Sequence, residues 1–196
     1  SLIALPYDEM VSDLSASKTR LDAGLETAIE AKNELALAEI YSKLNIVTYL
    51  QGELDVALDY GIKAIELFEH LNMPNRVGGL YCSIGYSLKR RDMNEANRYM
   101  RTGLSILKKL DDAVQLETGN NNYGVLKEME NQLDSASFYY SLALETAIAR
   151  NDSIAIPYAL NNLAGVAVMT EDFPSAKQYF SRAYHIRKRR NEAYGI

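Results

Sequence analysis

The chain contains no tryptophan, one cysteine, two histidines and four prolines in 196 residues. A lone thiol, Cys82, excludes an intramolecular disulfide framework and supplies too few ligands for a zinc site. The histidines, His70 and His185, are far apart and have no ligand-spaced neighbours, so no metal or cofactor is expected. A Ser-His-Asp order and a glycine-rich phosphate loop are missing too, so the chain is not expected to be an enzyme. No apolar run approaches the roughly 18 residues of a membrane span, and the N-terminus lacks a basic region followed by an apolar stretch. Positive charge is short as well. With 21 Lys and Arg against 26 Asp and Glu, the net charge of −5 argues against a nucleic-acid partner.

Apolar residues, at 47%, are plentiful enough for a sizeable core. Their arrangement is periodic. Gly52 to Ala57, Asp92 to Ala96, Asn131 to Ala136 and Asp172 to Ala176 align, with their final alanines 39, 40 and 40 residues apart. Seven residues beyond each alanine stands another small residue: Ala64, Gly103, Ala143 and Ala183. Ala and Gly make up 33 of the 196 residues yet fill all eight positions. Two helical turns separate the members of each pair, so both face a neighbouring helix that approaches closely. Leu54, Ala57, Leu58, Gly61, Ile62, Ile65 and Phe68 follow the spacing of an amphipathic helix. A second helical stretch precedes each, centred near Tyr41–Leu44, Tyr81–Gly85, Tyr123–Gly124 and Leu160–Ala164.

Boundary chemistry agrees with two antiparallel helices per repeat. Asn33, Asp112 and Asp152 stand where first helices should begin and can cap them, and Pro74 suits a first helical position. Gly52, Asp92 and Asn131 stand between the paired helices as turn residues. Asp92 with Glu95 reads as a capping-box variant. Pro157 implies a first helix that starts late, near Ile156, or is kinked. The turn before Ala96 is one residue short and should be tighter.

Tyr123-Gly124 with Ala136, Tyr140 and Ala143, and Leu163-Ala164 with Ala176, Phe180 and Ala183, resemble the tetratricopeptide (TPR) signature. The resemblance covers residues 34 to 190. It implies an all-α, right-handed α-solenoid of antiparallel helix hairpins. The expected organisation is a leading helix or half repeat over 8–32, repeats over 33–71, 72–110, 111–150 and 151–190, and the start of a further helix over 191–196. The whole reads as one solenoid domain excised from a longer protein. The unit of about 40 residues, against the usual 34, is similar to the long-helix variety in kinesin light chains, partner-of-inscuteable-like adaptors, bacterial peptide-pheromone regulators and sensory regions of bacterial signalling proteins.

What this implies is a protein- or peptide-binding scaffold or sensor whose concave face, built by the first helices, receives the partner. The alternative is a self-association module, a homodimer through the solenoid ends. Asn122 and Asn162 occupy equivalent places on two first helices. In the long-helix relatives such asparagines resemble a ladder that grips a peptide backbone, because one amide both donates and accepts. Lys43 takes that place in an earlier repeat, and Ser83 in the next. Tyr49, Tyr86, Lys89 and Arg90 flank the groove, the two cations favouring a partner with carboxylates. Arg187-Lys188-Arg189-Arg190 reads as a solvated helix end favoured by the helix dipole. The expected location is the cytoplasm, or alternatively the extracytoplasmic sensor region of a membrane protein.

Overall fold

A computed structural model describes residues 5–190; the expected start of a further helix at 191–196 lies outside them. The described residues form α1 (Tyr7–Ser12), α2 (Leu14–Glu30), α3 (Glu34–Leu50), α4 (Leu54–His70), α5 (Pro74–Leu88), α6 (Met93–Leu110), α7 (Ala113–Met129), α8 (Leu133–Ala149), α9 (Ala155–Met169) and α10 (Phe173–Arg189). The hairpins are α3–α4, α5–α6, α7–α8 and α9–α10, and each second helix also packs on the first helix of the next hairpin. The result is an α-solenoid.

Helix ends are set by local chemistry. Lys32, Gly52, Asn72, Asp111, Asn131, Asn151 and Glu171 all take positive φ. Each stands just past a helix, where the next residue's N–H reaches back five residues, as Glu53 does to Thr48 O at 2.9 Å. Three of the seven are asparagines and one is an aspartate, side chains that enter the left-handed region with less strain than most. Asn33 and Asp112 then cap α3 and α7 by accepting from Ala36 and Gln115 N–H at 3.0 and 3.1 Å. Asp152 accepts from both Ile154 and Ala155 N–H at 3.0 Å, so α9 starts late and Pro157 falls in its first turn, where a missing N–H costs nothing.

The connection from α5 to α6 differs. Lys89 stays at φ −52, and Arg91 and Asp92 N–H both donate to Leu88 O at 2.9 Å, so no left-handed residue is used. Asp92 accepts from Glu95 N–H at 3.0 Å, but the Glu95 carboxylate turns to Arg98 instead of back to Asp92. Only half of the expected capping box forms, because the guanidinium one turn along outcompetes a backbone N–H for the carboxylate.

Between the helices of a hairpin, small residues let the partner helix's backbone or a large side chain come close. A Cβ built on Gly85 would lie 2.9 Å from Ala96 O and Met100 N, and one on Gly124 2.5 Å from the Tyr140 ring. In α3–α4 the sizes are exchanged: Gly61 faces Asn45, a fully buried amide whose Nδ2 donates to Ala57 O at 2.8 Å. The repeat alanines Ala57, Ala96 and Ala136 are fully buried, and Ala176 nearly so. No described helix is long and apolar enough to cross a membrane.

Candidate functional site

Because the first helices pack side by side along one face of the stack, their outward-turned side chains share a surface. α3, α5 and α7 enclose a groove of about 670 Å3 there, floored by Ser83, Tyr86, Thr118 and Gly119 and reached by Tyr7 from α1. Its polar groups are hydroxyls, amides and one ammonium, with no carboxylate among its fifteen lining residues. In a chain with 26 acidic side chains this is a selective absence.

Four of the seven expected site residues come together. Tyr49, Tyr86, Lys89 and Asn122 all line the groove. Lys89 Nζ donates to Tyr49 Oη at 2.8 Å and to Tyr86 O at 3.1 Å, and lies 3.5 Å from the Tyr86 ring centroid. An ammonium held against two aromatic faces is attracted by their ring quadrupoles while its apolar stem packs along them. Asn122 is half-buried, and its amide forms no hydrogen bond among the described residues.

The other three stand elsewhere. Lys43 donates to Leu5 O at 3.1 Å beneath the N-terminal segment, and burial lowers its pKa from the ordinary lysine value. Asn162 Nδ2 donates to Asn121 Oδ1 at 2.8 Å, tying α9 to α7. Arg90 is exposed and lines a smaller adjoining hollow with Tyr49 and Leu50.

Sequence reasoning missed Tyr7, Thr118 and Gln115. Thr118 and Gln115 precede Asn122 by one and two helical turns, so the helical period places them on its face. Tyr7 carries no such signal, since α1 reaches the groove only through tertiary folding. Cys82 also borders the groove but is only 4% exposed, and burial pushes its thiol up to about 12. We expect the native chain to resist a thiol-reactive disulfide at pH 8 and to react stoichiometrically once unfolded in urea; rapid native reaction would show that the α5–α6 packing opens.

No protein-family model matches the chain, and no curated protein matches it. Solved structures do. It is similar to BtubC (BKLC) from P. vanneervenii, at 22% identity and a TM-score of 0.75, over 96% of this chain and 80% of that one. It is similar to the apo form of RapI at 18% identity and a TM-score of 0.79, covering 94% and 68% of the two chains. NprR in complex with its cognate peptide NprX matches at 18% identity and a TM-score of 0.66, over 95% of this chain and 54% of that one. These likenesses establish a tetratricopeptide-like helical repeat fold.

Proposed function

We propose that the chain is a peptide-binding regulatory module of a larger signalling protein, holding an extended, carboxylate-bearing peptide in the groove of α3, α5 and α7. The groove wall, with one cation, three tyrosines, an unpartnered amide and no carboxylate, carries this reading. An extended peptide needs partners for its own backbone groups. Asn122 both donates and accepts, Ser83 and Thr118 offer hydroxyls, and Lys89 meets a carboxylate from a site already partly desolvated. The likeness to NprR, described with its peptide NprX, adds support. In this reading the repeats are the long-helix tetratricopeptide variety of about 40 residues. The module works in the cytoplasm without a nucleic-acid partner, and its peptide contacts are made by Tyr49, Tyr86, Lys89 and Asn122.

An array of synthetic extended peptides of varied charge tests the groove. Acidic peptides should bind best, and Tyr86→Ala with Asn122→Ala should cost about 1–3 kcal/mol of binding with helical circular dichroism unchanged. Undiminished binding by that variant sinks the assignment.

One observation favours a second reading, self-association through the solenoid end. Phe173, Phe180, Val168 and Met169 of the α9–α10 hairpin are exposed. Sedimentation at several concentrations, with Phe180→Glu as the control, separates this homodimer from a monomeric peptide binder.

A further inference from the structure

One side of α7 serves the concave groove through Gln115, Thr118 and Asn122. Its opposite side carries Leu116, Asn120 and Tyr123 and opens on another groove, of about 570 Å3, between α6 and α8. The two grooves share no residue.

The repeat register explains why it is there. In α3–α4, Tyr41 stacks on Tyr60 with ring centroids 5.8 Å apart, and Lys63 covers both rings at 5.8 and 6.0 Å. In α5–α6, Tyr81 meets Tyr99 at 5.6 Å, with Arg98 over Tyr99 at 4.6 Å. Asn45, Gly85 and Gly124 mark the same level of their first helices, each facing its second helix. Counting back four residues gives Tyr41 and Tyr81, then Asn120. Tyr139, the counterpart of Tyr60 and Tyr99, turns instead to Tyr123 at 4.5 Å, and Leu142 stands where Lys63 would be. A seam that a tyrosine closes in two hairpins is left open in the third. Its walls are apolar, through Leu104, Tyr139 and Leu142, and Phe138 at its mouth is 58% exposed.

Charge identifies the occupant. Arg101 and Lys108 line the α6 rim two turns apart, about 10 Å along the helix. Both are exposed, and neither forms an ion pair among the described residues, whereas Lys63 and Arg98 of the preceding hairpins are paired with Asp59 and Glu95. The opposite wall carries one carboxylate, Glu145.

We propose that this outer seam is a second docking site, which takes a segment of another protein bearing one large apolar side chain flanked by carboxylates. The apolar side chain enters between Leu104, Tyr139 and Leu142, burying surface that the fold leaves wet. The carboxylates pair with Arg101 and Lys108, and Glu145 repels the reverse orientation. Asn120 offers its amide to a backbone group of the segment. This proposal does not depend on the concave-groove reading, since it uses the other side of α7.

The test is a random-peptide phage library selected on the whole chain, with counter-selection on Asn120→Tyr. That substitution restores the residue the two preceding hairpins carry and so closes the seam. Enriched peptides should place a leucine or aromatic residue beside Asp or Glu. Synthesised, they should bind the wild type about tenfold or more tightly than they bind Asn120→Tyr or Arg101→Glu/Lys108→Glu. They should bind Tyr86→Ala as well as wild type. The charge-reversed variant alters only exposed side chains, so it decides the matter if Asn120→Tyr does not fold. The proposal is overturned if no sequence distinguishes wild type from the variants, if the distinguishing sequences are neutral or basic, or if Tyr86→Ala abolishes their binding. Displacement by dodecanoate that itself binds the seam overturns it too, in favour of a small-amphiphile site.

Discussion

Ala136→Leu lowers the stability of the chain by about 3 kcal/mol in a urea titration, with the baseline helical signal of the folded state preserved at low denaturant. Ala136 is 0% exposed at the start of α8, facing α7. The close approach is a property of backbones, not of flexible side chains. At the matching level of α5–α6, the Gly85 position has Ala96 O within 2.9 Å of its Cβ direction, and Gly103 has Gly78 O at 2.6 Å. Three extra heavy atoms at Ala136 therefore have to push two helices apart, and the displacement is passed to α9 because α8 packs on both. Ala143→Leu is expected to behave alike, while Val56→Leu, on an exposed face of α4, stays within about 0.5 kcal/mol of wild type. Wild-type midpoints for both alanine variants would mean that the small-residue register does not carry the helix contacts.

Arg150→Met produces the second large effect, and it depends on pH. Glu117 on α7 is 8% exposed and accepts from Arg150 Nη1 at 2.7 Å; Arg150 also lies 3.4 Å from Asp152. Burial pushes the Glu117 carboxyl above its ordinary value, and Arg150 pulls part of the way back. Removing the cation leaves an ionised carboxylate buried without its partner, expected to cost about 3 kcal/mol at pH 7. A carboxyl whose folded pKa is raised binds more protons when folded than unfolded, so its share of stability is greatest below the unfolded value. That share is lost as pH rises through the folded value. The gap between wild type and Arg150→Met should thus widen from pH 4.5 to pH 7.5, and Glu117→Gln added to the variant should flatten it. Asp152 acts in the opposite sense, since the Ala155 and Ile154 N–H groups lower its pKa and its contribution disappears only at more acid pH. A gap independent of pH over that window would assign the Arg150 contribution to packing alone.

The parts of this molecule that were legible in its sequence are those decided within a few residues along the chain. Asn33, Asp112 and Asp152 cap helices through N–H groups two or three residues away, and Pro74 occupies the first position of α5. The small residues at 57, 96, 136 and 176 face inward because the helical period leaves them no other side. The Asp92–Glu95 box failed halfway, where a guanidinium one turn along offered the carboxylate a stronger partner. Of the candidate site, Tyr49, Tyr86, Lys89 and Asn122 share a groove because they lie on the faces of α3, α5 and α7 that turn away from the second helices.

What lay beyond that reach is set by residues some 40 positions apart. Lys43 is held by Leu5 O, Asn162 by Asn121 and Lys89 by Tyr49, and the period along a single helix signals none of these pairings. The opening between α6 and α8 is likewise invisible in α7 alone, because Asn120 leaves a gap only where Tyr139 has turned to Tyr123. The sequence by itself determined an all-helical repeat with close-packed hairpins, since period, caps and small residues act locally and repeat four times. Only the tertiary structure decided which outward side chains are engaged and which remain open to a partner. That outcome depends on how each hairpin is rotated on the last, a quantity set by the summed packing of whole helix faces and not by any one residue.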